Sequence, residues 1–278
     1  MSNLMLLDQT LWILEQKISN QIYDFPFEHL FACSHPYHIP AEVQAIARIG
    51  AIPDYPAFYQ EWLHQGVRMI NTPDEHLRAS ELPGWYPLLT DLTPRSIWFD
   101  HLPSSEDIER QLDFPVFIKG ARQTSQHQAS LCVASDSTEL KSILEGYQQD
   151  PILYWQTLVC RELLPLRILQ EGQGDQLPVA FEFRTFWYRG ELAGLGRYWL
   201  DGPPYSANRE ELQDLLNTAR TVVERLNVPF LVVDVAQTAS GRWVVIECND
   251  AQESGYAGVS AVALWQKIIE LEKKSSVD

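Results

Sequence analysis

Two carboxylates and a carboxamide stand where a short hairpin would bring them together. The stretch FLVVDVAQTASGRWVVIECNDAQESGYAG, residues 230–258, carries Asp234, Glu247 and Asn249. Phe230 to Val235 is a β-branched apolar run, Ser240-Gly241 supplies turn chemistry, and Trp243 to Ile246 resumes the apolar pattern. With the turn centred between Ser240 and Gly241, Asp234 pairs opposite Glu247, and Val232 opposite Asn249. Alternation along a strand then puts the three polar groups on one face. Carboxylates directly opposite each other repel. A hard divalent cation held by oxygen ligands would relieve them. The alternative is a half-exposed hairpin with polar residues on its wet face.

Other residues could serve the same chemistry. Lys119 ends the apolar run FPVFIKG, ahead of the polar stretch ARQTSQHQ at residues 121–128. A lone Lys there suits a phosphate as a point charge, although a solvated strand end would look the same. In AFEFRTFWYRGELAGLGRYW, Glu182 and Arg184 share one strand face and Phe181 and Phe183 the other. An ion pair along one strand is the simpler alternative. Arg197 follows on the next strand, between Gly196 and Tyr198. His35 and His38 are separated by a Pro that denies them helical metal-binding geometry, so surface or packing roles are expected. No credible Ser/His/Asp or Cys/His set is present. The cysteines at 33, 132, 160 and 248 lack C-x-x-C spacing, which fits buried thiols in a reducing compartment.

The elements that must position these groups can be read coarsely. Residues 4–19, with Leu4, Leu7, Leu11 and Leu14, read as an amphipathic helix and not a signal peptide. Helices are also expected over 41–50, 55–65 and 73–82, the last with Thr72 as N-cap and Pro73 in the first turn. Val67 to Ile70 is a strand candidate, and Asp91 to Arg95 looks like a linker. From Ser104 the order becomes helix, strand 114–120, strand 129–134, helix 136–147 and strand 152–160, an α+β unit. A hairpin through Arg189-Gly190, a helix capped by Ser206 and running to Leu226, the acidic hairpin and a helix over 259–274 complete the chain.

Composition narrows the function. The chain has 278 residues, 45% of them hydrophobic, and a net charge of −16. A core of ordinary size is expected, with two domains or one large domain and an appendage. The negative charge argues against nucleic-acid binding and against an anionic membrane surface. No window has the apolar length of a membrane span, so a cytoplasmic protein is expected. An exposed aromatic N-terminal surface would suit a homodimer.

Taken in order, these pieces resemble the ATP-grasp superfamily, in particular ligases of the glutathione synthetase and ribosomal-protein glutamate ligase kind. VVDVA with VVIECND thirteen residues on is similar to the family's metal hairpin. EFRTF followed by GRY is similar to its acidic-x-Arg strand and later Arg, and FPVFIK to its nucleotide-binding lysine strand. INTPDEHL and DLTPRS resemble the segment preceding the grasp. The resemblance covers roughly residues 67–260. It implies an α+β ATP-grasp fold in which two subdomains, 101–163 and 164–278, clasp the nucleotide behind a small, mostly helical pre-grasp region, 1–100.

The resemblance also implies roles. Lys119 would contact the α/β-phosphates. Arg161, Glu162 and Leu163 would form the hinge whose backbone reads the adenine edge, and Glu182 would reach the ribose. Asp234, Glu247 and Asn249 would hold one or two Mg²⁺, or Mn²⁺. Arg184 and Arg197 would stabilise the transferring γ-phosphoryl group and the receiving carboxylate, under a lid at 120–128. The implied reaction is ATP-dependent joining of a small-molecule or peptide carboxylate to an amine (or thiol) through an acyl phosphate. A nucleotide-binding protein acting through a partner, or a phosphotransferase, is the alternative. Departures are visible. The lid has one glycine, and Met69 to Asp113 contains no lysine, so either Arg78 or Arg95 substitutes for an upstream phosphate contact or the contact is absent. The segment after Asn249 is unusually acidic, hinting at a basic or amine-bearing second substrate.

Overall fold

The computed structural model describes residues 2–16, 25–39, 41–122, 128–150 and 153–275. The first element is a hairpin of β1 (Ser2–Leu7) and β2 (Leu11–Gln16), where a helix was expected. Asp8 and Gln9 adopt positive φ angles of 47° and 55° and close a tight turn between Leu7 and Leu11. The leucine spacing imitates a helical period because both faces of the hairpin are covered. Met5, Leu7, Leu11 and Ile13 enter one core while Leu4, Trp12 and Leu14 pack into another.

The chain continues through α1 (Phe27–Leu30), β3 (Cys33–Ser34), β4 (Val43–Arg48), α2 (Tyr55–Leu63) and β5 (Val67–Met69). The strands form a five-stranded sheet in the order β3-β1-β2-β4-β5. Residues 43–48 are thus a central parallel strand and not the expected helix. Its small residues Ala45 and Ala47 face one core and Ile46 the other. The N-terminal region is therefore not mostly helical. Helix α3 (Pro73–Ser80) starts at Thr72, the expected N-cap, which forms a full capping box with Glu75, and α4 (Leu82–Leu89) follows. Residues 91–95 are no free linker: Val245 N–H donates to Leu92 O (2.8 Å) and Thr93 Oγ1 donates to Val245 O (2.9 Å).

A second sheet has the order β6-β9-β7-β8, built from β6 (Ser96–Phe99), α5 (Ser105–Glu109), β7 (Val116–Gly120), α6 (Ala129–Cys132), β8 (Val133–Ala134), α7 (Ser137–Tyr147) and β9 (Leu158–Glu162). The strand expected over 129–134 is a helical turn followed by a two-residue strand. The strand expected over 152–160 occupies 158–162, and residue 152 lies outside the described residues. One face packs Val116, Ile118, Leu158 and Cys160 against α5 and α7. The register places Ser96, Trp98, Phe117, Lys119, Val159 and Arg161 on the other face.

After the short pair β10 (Ile168–Gln170) and β11 (Val179–Ala180) comes the sheet that holds the acidic hairpin, in the order β13-β12-β14-β15. Its strands are β12 (Glu182–Tyr188), β13 (Glu191–Arg197), β14 (Phe230–Gln237) and β15 (Trp243–Asp250). Helix α8 (Arg209–Leu226) covers one face through Leu215, Ala219, Val222 and Leu226. Asn208, not Ser206, caps it, accepting from the amides of Glu210 and Glu211. Helix α9 (Ala261–Ser275) and the first sheet cover half of the opposite face, around Phe186, Tyr188, Phe230 and Val232. The other half of that face, from Glu182 to Glu247, turns toward Lys119. The fold is α+β, as the sequence implies.

Candidate active site

The register of the third sheet gathers the charged residues. Arg184 pairs with Asp234 across β12 and β14, and Asp234 with Glu247 across β14 and β15. Asn249 lies opposite Val232. The pairing deduced from the turn therefore holds at these positions, but for an added reason. Near the turn Val235 pairs with Val245, a register one residue out of step with Asp234 and Glu247. Ile246 is the extra residue, and this bulge brings Glu247 opposite Asp234. Arg161 holds the bulge from the second sheet: its Nη1 donates to Ile246 O (2.6 Å), its Nη2 to Thr93 Oγ1 (2.6 Å) and its Nε to Ser96 Oγ (3.1 Å). Burial lowers the Arg161 pKa to about 10, so the guanidinium remains charged at neutral pH.

Each carboxylate of the pair has its own cation. The Lys119 ammonium contacts Glu247 Oε1 across the cleft between the second and third sheets. Arg184 grips Asp234 with two parallel bonds, Nε to Oδ1 (2.8 Å) and Nη2 to Oδ2 (2.7 Å). Its Nη1 donates to Gly255 O (2.8 Å). Burial opposes the charge on Glu247, but Lys119 holds its pKa below the ordinary value. Burial raises Asp234, against the pull of Arg184. Glu182, on the same face, accepts from Trp199 Nε1 (3.0 Å). Burial first, and then Asp234, pushes its pKa up to about 8, so it is mostly protonated at neutral pH. The cluster thus holds its charges nearly in balance within a chain of net charge −16.

Not every expected residue joins this group. Arg197 pairs with Phe183, on the opposite sheet face, and lies 5.7 Å from the Tyr205 ring centroid. Its neighbour Tyr198 takes the place instead, with Arg184 Cζ 5.1 Å from its ring centroid. Tyr198 and Trp199 were not singled out from the sequence, although Gly196, opposite Arg184, signals by alternation that Tyr198 shares the cluster's face. A Cβ on Gly196 would come within 2.2 Å of the Gly258 backbone, so the glycine lets the 255–259 segment close over this edge. At the expected hinge residues, Glu162 N–H donates to Arg95 O (2.9 Å) and Leu163 N–H approaches Pro115 O (3.4 Å). Of the expected lid, residues 123–127 lie outside the described residues.

One substitute and one substrate hint are corrected by the geometry. Arg78 donates to Leu226 O (2.6 Å) and serves the C-terminus of α8, not a phosphate. Arg95 is exposed. The acidic segment after Asn249 does not face a basic substrate. Asp250 and Glu253 are buried, Asp250 Oδ2 is 3.0 Å from His76 Nδ1, and Arg48 donates to the carbonyls of Ala251 (2.7 Å) and Ser254 (2.9 Å). This segment docks the first sheet onto the third.

Asp234, Glu247 and Asn249 are oxygen donors of the kind Mg²⁺ prefers. Among the described residues, however, no group of three or more His, Cys, Asp or Glu side chains is arranged to hold a metal. Both Asp234 oxygens accept from Arg184, and Glu247 Oε1 meets Lys119. Two carboxylates and a carboxamide are compatible with Mg²⁺, which keeps waters and takes phosphate oxygens.

Comparison with known proteins decides the family. A family model for an ATP-grasp domain matches residues 101–268, more than half of the chain. The chain belongs to the ATP-grasp superfamily. No protein of curated function matches the sequence. Solved ATP-grasp structures share the fold. The D-Ala:D-Ser ligase VanG from Enterococcus faecalis aligns with a TM-score of 0.58 at 16% identity, covering 83% of this chain and 72% of that one. A RimK domain ATP-grasp protein from Sphaerobacter thermophilus aligns at 0.55 and 14%, covering 83% and 81%. The D-alanine–D-alanine ligase of Bacillus anthracis, solved with ATP, aligns at 0.57 and 13%, covering 81% and 77%. Among the described residues of this ATP-grasp chain, no helix is long and apolar enough to cross a membrane.

Proposed function

We propose that this protein is an ATP- and Mg²⁺-dependent ligase that joins a carboxylate to an amine, or to a thiol, through an acyl phosphate. The observation that supports this most is the meeting of Lys119, from the second sheet, with the Arg184–Asp234–Glu247 row of the third. Cations suited to phosphate and oxygen ligands suited to Mg²⁺ share one cleft. Residues 1–100 would be the pre-grasp region, with 101–163 and 164–278 as the two halves of the clamp.

In this reading Lys119 leaves Glu247 and turns to the α/β-phosphates. Arg161, Glu162 and Leu163 form the hinge beside the adenine, and the Glu182 carboxyl hydrogen-bonds the ribose. Asp234, Glu247 and Asn249 would hold Mg²⁺, which neutralises charge on the phosphates when bound. Arg184 stabilises the γ-phosphoryl group in transfer. The substrate carboxylate oxygen attacks the γ-phosphorus and ADP leaves. The amine then attacks the acyl carbon, losing a proton, and phosphate leaves. Positioning and charge stabilisation supply the catalysis, with no protein nucleophile. Arg197, on the other sheet face, has no support from the geometry as a partner of Arg184 in this step. That same displacement favours a second reading, a nucleotide-binding protein without ligase chemistry.

Screening ADP and phosphate release against pools of amino acids and carboxylates tests the proposal. Release that requires both an acid and an amine supports the ligase. Nucleotide binding with no release under any pool supports the second reading.

A further inference from the structure

We infer that Arg48, from the first sheet, is a positioning residue for the phosphoryl-transfer side of the cleft. It fixes the 251–255 turn, and through Gly255 that turn aims Arg184. The inference rests on the nucleotide-binding reading above and deepens it by giving the first sheet a part in the site.

The turn does not set its shape alone. It follows β15 without regular secondary structure, and its carbonyls at Ala251, Gln252 and Ser254 converge on one side chain. Buried carbonyls need donors. Arg48 Nη1 donates to Ala251 O (2.7 Å) and Gln252 O (3.3 Å), and Nη2 to Ser254 O (2.9 Å). The residue is 2% exposed, and its Cζ lies 4.8 Å from the Tyr256 ring centroid. A rigid planar fork reaches carbonyls on both sides of the turn together, whereas a lysine ammonium is a single point on a flexible stem. The turn is also laid along the end of β4, where Ala47 N–H donates to Gln252 Oε1 (2.9 Å) and Ile49 N–H to Gln252 O (3.3 Å). Arg48 is the last residue of β4, which runs parallel to β2 and β5. Open sheets gather functional groups at the C-terminal ends of their parallel strands. Here the group at that end acts on the turn.

Gly255 carries the consequence into the cleft. Its carbonyl accepts from Arg184 Nη1 (2.8 Å). This bond is to backbone, so it holds Arg184 whether Asp234 pairs with the guanidinium or turns to the divalent cation. With Asp234 on the cation, Gly255 O and the Tyr198 ring, 5.1 Å from Arg184 Cζ, orient the fork. Their placement decides where its other N–H donors meet a transferring phosphoryl group. A misplacement of about 1 Å, caused far from the chemistry, can cost about a hundredfold in rate.

Isothermal titration of the full-length chain with MgADP and MgAMPPNP tests this. Arg48→Lys keeps the charge but not the fork. It is expected to lower the preference for MgAMPPNP over MgADP about tenfold, the worth of one hydrogen bond to a charged group, with MgADP affinity within about twofold of wild type. General damage to the fold would weaken both ligands alike. An unchanged preference, an equal loss of both ligands, or a wild type without the preference would overturn the inference. Hydrogen exchange of the wild type gives an answer even if Arg48→Lys does not fold. The 251–255 amides are expected to exchange as slowly in the free protein as with MgAMPPNP, because Arg48 has already set the turn. Fast exchange that slows only when nucleotide binds would contradict this. If the wild type binds neither nucleotide, the nucleotide reading falls, and the inference with it. If it binds both and Arg48→Lys keeps the wild-type preference, the inference falls alone.

Discussion

Lys119 and Glu247, 128 residues apart in sequence, meet across the cleft between two sheets and so tie the second sheet to the third. Removing the cation should therefore have two effects. Lys119→Met is expected to abolish nucleotide binding and to destabilise the fold by about 2 kcal/mol, less than for a fully buried pair because the Glu247 side chain is 18% exposed. Isothermal titration with ATP and urea denaturation measure the two separately.

Arg161 serves the fold before it serves any ligand. Its three hydrogen bonds fix the Ile246 bulge and the 93–96 segment. Arg161→Met should cost about 3 kcal/mol, since a buried carbonyl and two hydroxyls lose a charged donor. The loss is read as a lower urea midpoint.

The two arginines expected to act together should separate. Arg184→Ala is predicted to lower ATP-dependent turnover by at least about a hundredfold, in line with loss of a charge-stabilising donor at a transferring group. Arg197→Ala, which acts on the opposite sheet face, should change it less than about tenfold by the same scale. Steady-state ADP release compares them.

Two buried carboxyls make stability depend on pH. Burial pushes Glu253 up to about 7 and Glu182 up to about 8, from an ordinary value of 4.5. The native state thus keeps protons that the unfolded chain has released. Stability contributed by these groups is full below about pH 4.5 and declines as pH rises through 7 to 8. Glu253→Gln should flatten that decline, so its melting temperature relative to wild type rises between about pH 5.5 and about pH 8. A parallel pH dependence in variant and wild type would contradict the assignment.

Much of the site was legible because strand alternation and turn position are local rules. They yielded the face shared by Asp234, Glu247 and Asn249, and the face shared by Glu182 and Arg184 on one strand. The same rule assigns Arg197 to the other face, once Gly196 is set opposite Arg184. The sequence order of the arginines alone suggested otherwise. The Ile246 bulge was not legible, because a distant residue, Arg161, holds it. Nor were β1, β2 and β4, whose apolar spacing mimics a helix. They become strands because other layers cover both of their faces, and a one-dimensional period cannot report that. The acidic segment after Asn249 looked like a substrate surface until the first sheet supplied Arg48, and α3 His76, to bury it.

The central claim is that MgATP binds between Lys119 and the Asp234–Glu247 hairpin. The most direct test is thermal unfolding with and without MgATP, in wild type and in Lys119→Met. At about 100 times the dissociation constant, binding should stabilise the wild type by about 2.7 kcal/mol, a rise of roughly 5 °C for a chain of this size, with no rise in the variant. No shift in the wild type at millimolar MgATP, or an equal shift in both proteins, would contradict it.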